Sequence, residues 1–181
     1  MLFERYPKEV ELQDGSRVVL RPMIRDDEDP LIDFFATLTD RDRLYLRNDV
    51  SNARLIRSWF ENIDYKRVLP ILAVSGKRIV GNGTLHRRPF SWMKHIAEIR
   101  IVISPDHRKK GLARALAKEL IDNAIDEELD KLTADFAAEQ KTALKVFSRL
   151  GFKKEATMKN YVTDAAGNRC DLVVMTKDIS E

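Results

Sequence analysis

The chain has 181 residues, a formal charge of +3 and a single cysteine. That length suits one domain over 1–181 with a full-sized core, and 44% hydrophobic with 34% charged residues describes a soluble globular protein without a bilayer-crossing run. So small a charge, with acidic residues interleaved almost everywhere, argues against a nucleic-acid partner, and Cys170 alone excludes an internal disulfide. Met1-Leu2-Phe3-Glu4 lacks the pattern of a secretory signal, so the expected setting is the cytoplasm, with no membrane partner.

In chain order, residues 10–12, an Asp14-Gly15 turn and residues 17–21 read as an opening hairpin that Pro22 ends. A helix follows, capped by Asp26 or Asp27, with Pro30 in its first turn and Leu31, Phe34, Phe35 and Leu38 on its buried face. Residues 39–52 are a polar stretch, and 53–63 a second amphipathic helix. Strands at 69–74 and 77–87 form a hairpin through Ser75-Gly76. Gly81 and Gly83 in its second arm predict a bulge or a close backbone neighbour, unless Asn82-Gly83 is itself a turn. Phe90, Trp92 and Met93 are too apolar for idle exposure, so packing onto the domain is expected ahead of a lid or an interface. Beyond the central stretch, 131–137 reads as a strand and 139–150 as a helix capped by Gly151. Strands 152–163 and 169–179 then close the chain as a hairpin across 164–168, and Cys170 on the second of them is expected in the core.

The organising stretch is 97–125. Ile99, Ile101 and Ile103 alternate with Glu98, Arg100 and Val102, which predicts a strand with one apolar and one charged face. Pro105 ends the ladder, 106–110 is a loop, and Leu112, Leu116, Leu120 and Ile121, with Ala113, Ala117 and Ala124, form the stripe of a helix. Arg108, Lys109, Lys110 and Gly111 immediately before a helix start gather cations, unpaired N–H groups and the positive dipole end at one point, where a phosphate would bind. Gly111 lets the backbone approach an anion closely. The plain alternative is a solvated basic loop. No Walker pattern is present, and His86, His95 and His107 lack metal-ligand spacing, so no metal is expected.

Arg108-Lys109-Lys110-Gly111-Leu112-Ala113 matches the Arg/Gln-x-x-Gly-x-Gly/Ala signature of the GNAT superfamily of acyl-CoA-dependent N-acyltransferases, and Ala143 through Phe152 resembles that family's second acyl-CoA-contacting helix. The resemblance covers nearly the whole chain. It implies an α/β fold with a mixed, mostly antiparallel sheet flanked by helices on both faces. It also implies acetyl-CoA as co-substrate and direct transfer to a primary amine, whether a small molecule or a protein lysine. The opening segment and residues 42–47 are faintly similar to bacterial protein-lysine acetyltransferases, and a homodimer is a further expectation. By the same resemblance the amides of the loop and of Leu112 and Ala113 hold the CoA pyrophosphate, the backbone of Val102 and Ile103 pairs with the pantetheine arm, and Gln140, Phe147 and Arg149 add cofactor contacts.

Glu98 matches a position where several GNAT enzymes carry a catalytic glutamate, while the other reading makes Glu98 and Arg100 an ion-paired strand face. The separation of Glu98 from Val102, about 13 Å of extended chain, then calls for a water relay or a bulge. Many members carry a tyrosine where Phe147 stands and an asparagine where Gln140 stands. Phenylalanine has no proton for the leaving thiolate, with Tyr45 and Tyr161 as replacements of unassigned position. That departure supports a second function class, a non-catalytic acyl-CoA sensor or regulatory module.

Overall fold

The structure, a computed structural model, describes residues 2–164 and 166–180. Met1 and Ala165, which belong to the expected N-terminal segment and closing turn, lie outside them.

The strands are β1 (Lys8–Glu11), β2 (Arg17–Pro22), β3 (Val68–Ser75), β4 (Arg78–Arg87), β5 (Ile96–Ile103), β6 (Lys131–Ala137), β7 (Lys153–Thr163) and β8 (Arg169–Asp178); burial alternates along β2, whereas the central β3 and β4 are buried on both faces and the edge strand β7 is largely exposed. They form one eight-stranded sheet in the order β1-β2-β3-β4-β5-β6-β8-β7. Every pairing is antiparallel except β5 with β6. The helices are α1 (Glu28–Ala36), α2 (Asp40–Leu44), α3 (Ala53–Glu61), α4 (Leu112–Asp126) and α5 (Lys141–Arg149). This is the expected mixed, mostly antiparallel sheet with helices on both faces.

Strand β3 divides the two layers of core. Leu69, Ile71 and Ala73 point into a cluster with Leu112, Leu116 and Leu120 of α4, whereas Leu72 points into a second cluster with Leu31, Phe34 and Phe35 of α1 and Ile56 and Phe60 of α3. In β4, Ile79 pairs with Val74 and Gly81 with Ala73, which leaves Val80 as an extra residue, the expected bulge. The close neighbour is real too. A Cβ on Gly81 would lie 3.0 Å from Leu116 Cδ1, and one on Gly83 would lie 3.0 Å from Leu120 Cδ1, so the glycines let α4 settle onto the sheet. Asn82-Gly83 is therefore strand, not turn.

Four expectations fail. The polar stretch contains α2, started by a capping box in which the Asp42 N–H donates to Thr39 Oγ1 (3.2 Å) and the Thr39 N–H to Asp42 Oδ2 (3.0 Å). Asp27 does not cap α1 with its side chain. It accepts the Ile24 N–H at 2.8 Å and a two-pronged pair from Arg21, both bonds 2.7 Å, and burial among them fixes the entry to α1. Phe90 and Trp92 do not pack onto the domain: at 89% and 91% exposure they stand in water at the tip between β4 and β5. Cys170 is only partly buried, near the start of β8.

Candidate active site

Strands β5 and β6 pair at Ile96↔Lys131, Ala97↔Leu132 and Glu98↔Thr133, and no further. Both continue, β5 to Ile103 and β6 to Ala137, so beyond Glu98 they diverge and open a gap in the middle of the sheet. The Ser104 N–H donates to the Val80 carbonyl at 3.0 Å, and the rungs Asn82↔Val102, Thr84↔Arg100 and His86↔Glu98 keep that register. In an antiparallel ladder such bonded pairs recur every second residue. Val102 thus turns its own N–H and C=O toward β4, while the peptide groups of Ile101 and Ile103 face the gap. Of the two residues expected to pair with pantetheine, Ile103 has the geometry for it, and Val102 has its polar groups already in the ladder. The N–H of Ile101 also faces the gap.

The gap is part of a cleft of about 1120 Å³. At one end is the loop before α4. Lys109 (φ 60°) and Gly111 (φ 85°) are both left-handed, which turns the chain sharply into the helix. The first bond of α4 runs from the Ala115 N–H to the Gly111 carbonyl at 3.1 Å, so the N–H groups of Leu112, Ala113 and Arg114 have no helical acceptor. The opening hairpin backs this loop: the Gln13 N–H donates to the Lys110 carbonyl at 2.9 Å, Lys110 Nζ pairs with Asp14 at 3.2 Å, and a Cβ on Gly111 would lie 3.1 Å from Gln13 Cγ. Arg108 reaches back to the Ile103 carbonyl (3.3 Å) and pairs with Asp42 of α2 (2.8 Å). Burial works against the Asp42 charge, but hydrogen bonds from Arg108 and Thr39 outweigh it and hold the carboxyl below its ordinary range. Gln140 and Arg149 also line the cleft, and Gln140 Oε1 is taken by the Ala137 N–H at 2.8 Å. Phe147 is buried, edge-on to Phe136 (4.9 Å) and Phe152 (5.0 Å), and brings no polar atom. Tyr45 lies in the same cleft with its hydroxyl donated to Glu139, and burial raises its pKa. Tyr161 is exposed on β7 and does not line the cleft.

The other end is the crotch where β5 and β6 part. There Glu98 accepts a two-pronged pair from Arg100 (2.8 and 3.0 Å) and an ion contact from Arg47 (2.9 Å). Burial pushes Glu98 up, yet the two guanidinium groups hold it below its ordinary value, so the carboxylate is ionised throughout the neutral range. An ion-paired carboxylate thus stands at the head of the gap. Beside it Thr84 Oγ1 and His86 Nε2 lie 2.9 Å apart. Burial, assisted by Arg100 and Arg47, lowers His86 to about 4, so its imidazole is neutral at pH 7. Arg47, Asn82 and Asp135 also line the cleft and are not singled out by sequence reasoning. Asp135 had a signal, since Thr133 and Asp135 interrupt apolar neighbours at a period of two. Arg47 lies in a polar loop and had none.

Residues 32–152 match the model of the acetyltransferase (GNAT) family. The chain belongs to that family. Among curated relatives of this GNAT chain, it is 32% identical over 94 residues to the L-amino acid N-acyltransferase MnaT of Escherichia coli K12, covering 52% of this chain and 54% of MnaT. It is 31% identical over 80 residues to the [ribosomal protein bS18]-alanine N-acetyltransferase of the same organism, covering 44% and 53%. The GNAT chain therefore spans about half the length of these relatives. Of solved structures, the GNAT domain of S. lividans PAT superposes with a TM-score of 0.80 at 18% identity over 97% of this chain and 98% of that one. The acetyltransferase yncA of Salmonella typhimurium, described as putative and solved with its cofactor acetyl-CoA, gives 0.77 at 21% over 92% and 96%. These likenesses establish the fold. Among the described residues of this GNAT chain, no group of histidine, cysteine and carboxylate side chains forms a metal site, and no helix is long and apolar enough to cross a membrane.

Proposed function

We propose that the chain is an N-acetyltransferase of the cytoplasm that moves an acetyl group from acetyl-CoA to a primary amine by direct attack. The observation that carries this reading is the parted pair β5 and β6: the gap exposes the peptide edge of Ile101 and Ile103 and runs from the unpaired N–H groups of α4 to the Glu98 carboxylate. An extended amide-bearing arm fits along such an edge as an added strand, with its diphosphate on the helix N-terminus. MnaT is named for L-amino acids and the second relative for a protein alanine, so the acceptor here is a small or protein-borne amine.

The neutral amine nitrogen bonds to the thioester carbon, the C–S bond breaks with its electron pair leaving on sulfur, and the nitrogen releases a second proton to water to become the amide. An N–H of Ile101 facing the gap stabilises the developing oxyanion. An alkylammonium of pKa about 10.4 must first lose a proton. Glu98 is three residues from Ile101, about 10 Å along the strand, so it takes that proton through water. Held low by Arg47 and Arg100, it is a weak base until one of them moves away. With Phe147 in the Tyr position, sulfur departs as thiolate, which a thiol pKa of about 8.5 allows.

Phe147 is also what favours the second reading, a non-catalytic acyl-CoA sensor. Calorimetric titration with acetyl-CoA, with ATP and NAD as controls, tests the shared part of both readings, and amine-dependent release of CoA thiol separates them. Saturable acetyl-CoA binding with thiol release supports the enzyme. Binding without release over a panel of amines leaves the sensor, and no binding refutes both.

A further inference from the structure

Arg47 sits over the crotch of the gap. Its guanidinium contacts Glu98 at 2.9 Å and donates to Asp135 at 2.6 Å, which joins the last paired rung of β5 to the diverging arm of β6. We propose that in the free protein Arg47 occupies the cation subsite at which the acceptor first docks, and that the acceptor is a monocationic amine whose ammonium replaces this guanidinium between Asp135 and Glu98 before its nitrogen, once deprotonated, moves along the gap to the thioester. The inference rests on the acetyltransferase reading and deepens it.

Charge is the first support. The crotch holds the carboxylates of Glu98 and Asp135, the guanidinium groups of Arg100 and Arg47, and a neutral His86. It is balanced with Arg47 in place and carries one negative charge without it. Of the other ionic residues along the cleft walls, Arg41 pairs with Glu139 (3.8 Å), Arg67 with Asp64 (3.8 Å) and Arg108 with Asp42 (2.8 Å), while Lys109, Arg114 and Arg149, which make no ion pair among the described residues, belong to the loop end. Among the described residues Arg47 is the only ion-pair partner of Asp135, whereas Glu98 keeps Arg100 whatever Arg47 does. Departure of Arg47 thus uncovers one three-quarters-buried carboxylate, a site for one cation.

The second support is independent of the carboxylates. Asn82, 9% exposed, lines the same cleft on the same face, and its Oδ1 is buried with no hydrogen-bond donor. An orphaned acceptor of this kind is costly unless something completes it; Asn82 pairs with Val102, four residues along β4 from the rung of Glu98, so it awaits an N–H further along the gap, on the acceptor's way from the crotch to the thioester. Arg47 is suited to leaving. It lies between α2 and α3 on a stretch without helix or strand, its side chain is half-exposed, and its two carboxylates are its only charged partners among the described residues. A zwitterionic acceptor would ask the opposite of it, namely to stay and hold the acceptor's carboxylate. The variant Arg47→Ala therefore moves affinity in opposite directions for the two acceptor types.

The test measures binding of n-butylammonium and of free methionine to the CoA-saturated protein by calorimetry at constant ionic strength. Arg47→Ala is expected to bind n-butylammonium about threefold or more tighter than the parent, because the competing side chain no longer lowers the fraction of open sites. Asp135→Asn, which leaves Arg47 intact, is expected to bind it at least about threefold more weakly, and gives an answer even where the alanine variant folds poorly. Equal or weaker butylammonium binding by Arg47→Ala, no detectable binding by either protein, or methionine binding that Arg47→Ala abolishes would each overturn the proposal. Acetyl-CoA titration of the same samples keeps the two levels apart, since its failure refutes the acetyltransferase reading itself.

Discussion

At its loop end the cleft offers the unpaired N–H groups of Leu112, Ala113 and Arg114 together with Lys109, Arg114 and Arg149, cations that make no ion pair among the described residues. At the crotch every carboxylate already holds a guanidinium. One end is built from backbone and is open to an anion; the other is built from side chains of three separate elements and is closed on itself. The difference teaches that cofactor and acceptor obey different rules here. Binding at the first completes groups that have no partner, whereas binding at the second must displace a partner that is already present.

Gly111→Asp is the change most damaging to the open end, since a Cβ there meets Gln13, the left-handed φ is strained and a carboxylate faces the anion. Affinity for acetyl-CoA should fall by about a hundredfold or more in a protein whose circular dichroism is unchanged. Undiminished affinity would dissolve the distinction between the ends. Glu98→Gln acts at the closed end. Turnover should drop by about 10² at pH 7 with acetyl-CoA affinity intact, and the deficit should narrow toward pH 10, where the amine sheds its proton unaided. A flat ratio across the pH profile would free Glu98 of the role.

His86 gives the closed end a stability signature. Its folded pKa of about 4 lies below the ordinary value of 6.5, so between these values the unfolded chain binds more protons, and stability present above pH 6.5 is lost as pH falls toward 4. The loss between pH 7 and pH 4.5 is at most about 3 kcal/mol, and His86→Gln should remove it from urea melts at those two pH values. The smallest expected effect joins the ends. Asp42→Asn releases Arg108, so acetyl-CoA should bind about two- to fivefold tighter, and unchanged binding would show that Arg108 does not respond to its α2 partner.

The open end was legible in the sequence because its parts are contiguous: a strand, a Pro stop, a Gly turn and a Leu stripe fall within residues 97–125. Gly81 and Gly83 also announced the bulge in β4, although the close neighbours they admit are leucine side chains of α4 rather than backbone. The closed end was not legible, because Arg47, Glu98 and Asp135 lie on elements whose adjacency only the sheet order decides. Even so, the capping box Thr39-x-x-Asp42 would have revealed α2 had it been read as a helix start. Strand alternation placed Val102 on the correct face, but side-chain direction does not tell which way a peptide group points, and that decided between Val102 and its neighbours. The aromatic tip failed for a related reason: apolarity predicts that a side chain gains from being covered, not that this domain has a surface to cover it.

The exposure of Trp92 has a practical use. The chain has two tryptophans. Trp92 stands in water, while Trp59 lies edge-on to Phe35 at 6.0 Å and lines the cleft. Aqueous iodide should quench the first and spare the second, leaving an emission that reports on cleft occupancy alone. With Trp92→Phe the protein becomes a single-emitter sensor, in which cofactor and amine arrival can be timed separately by stopped flow without a dye or a coupled assay.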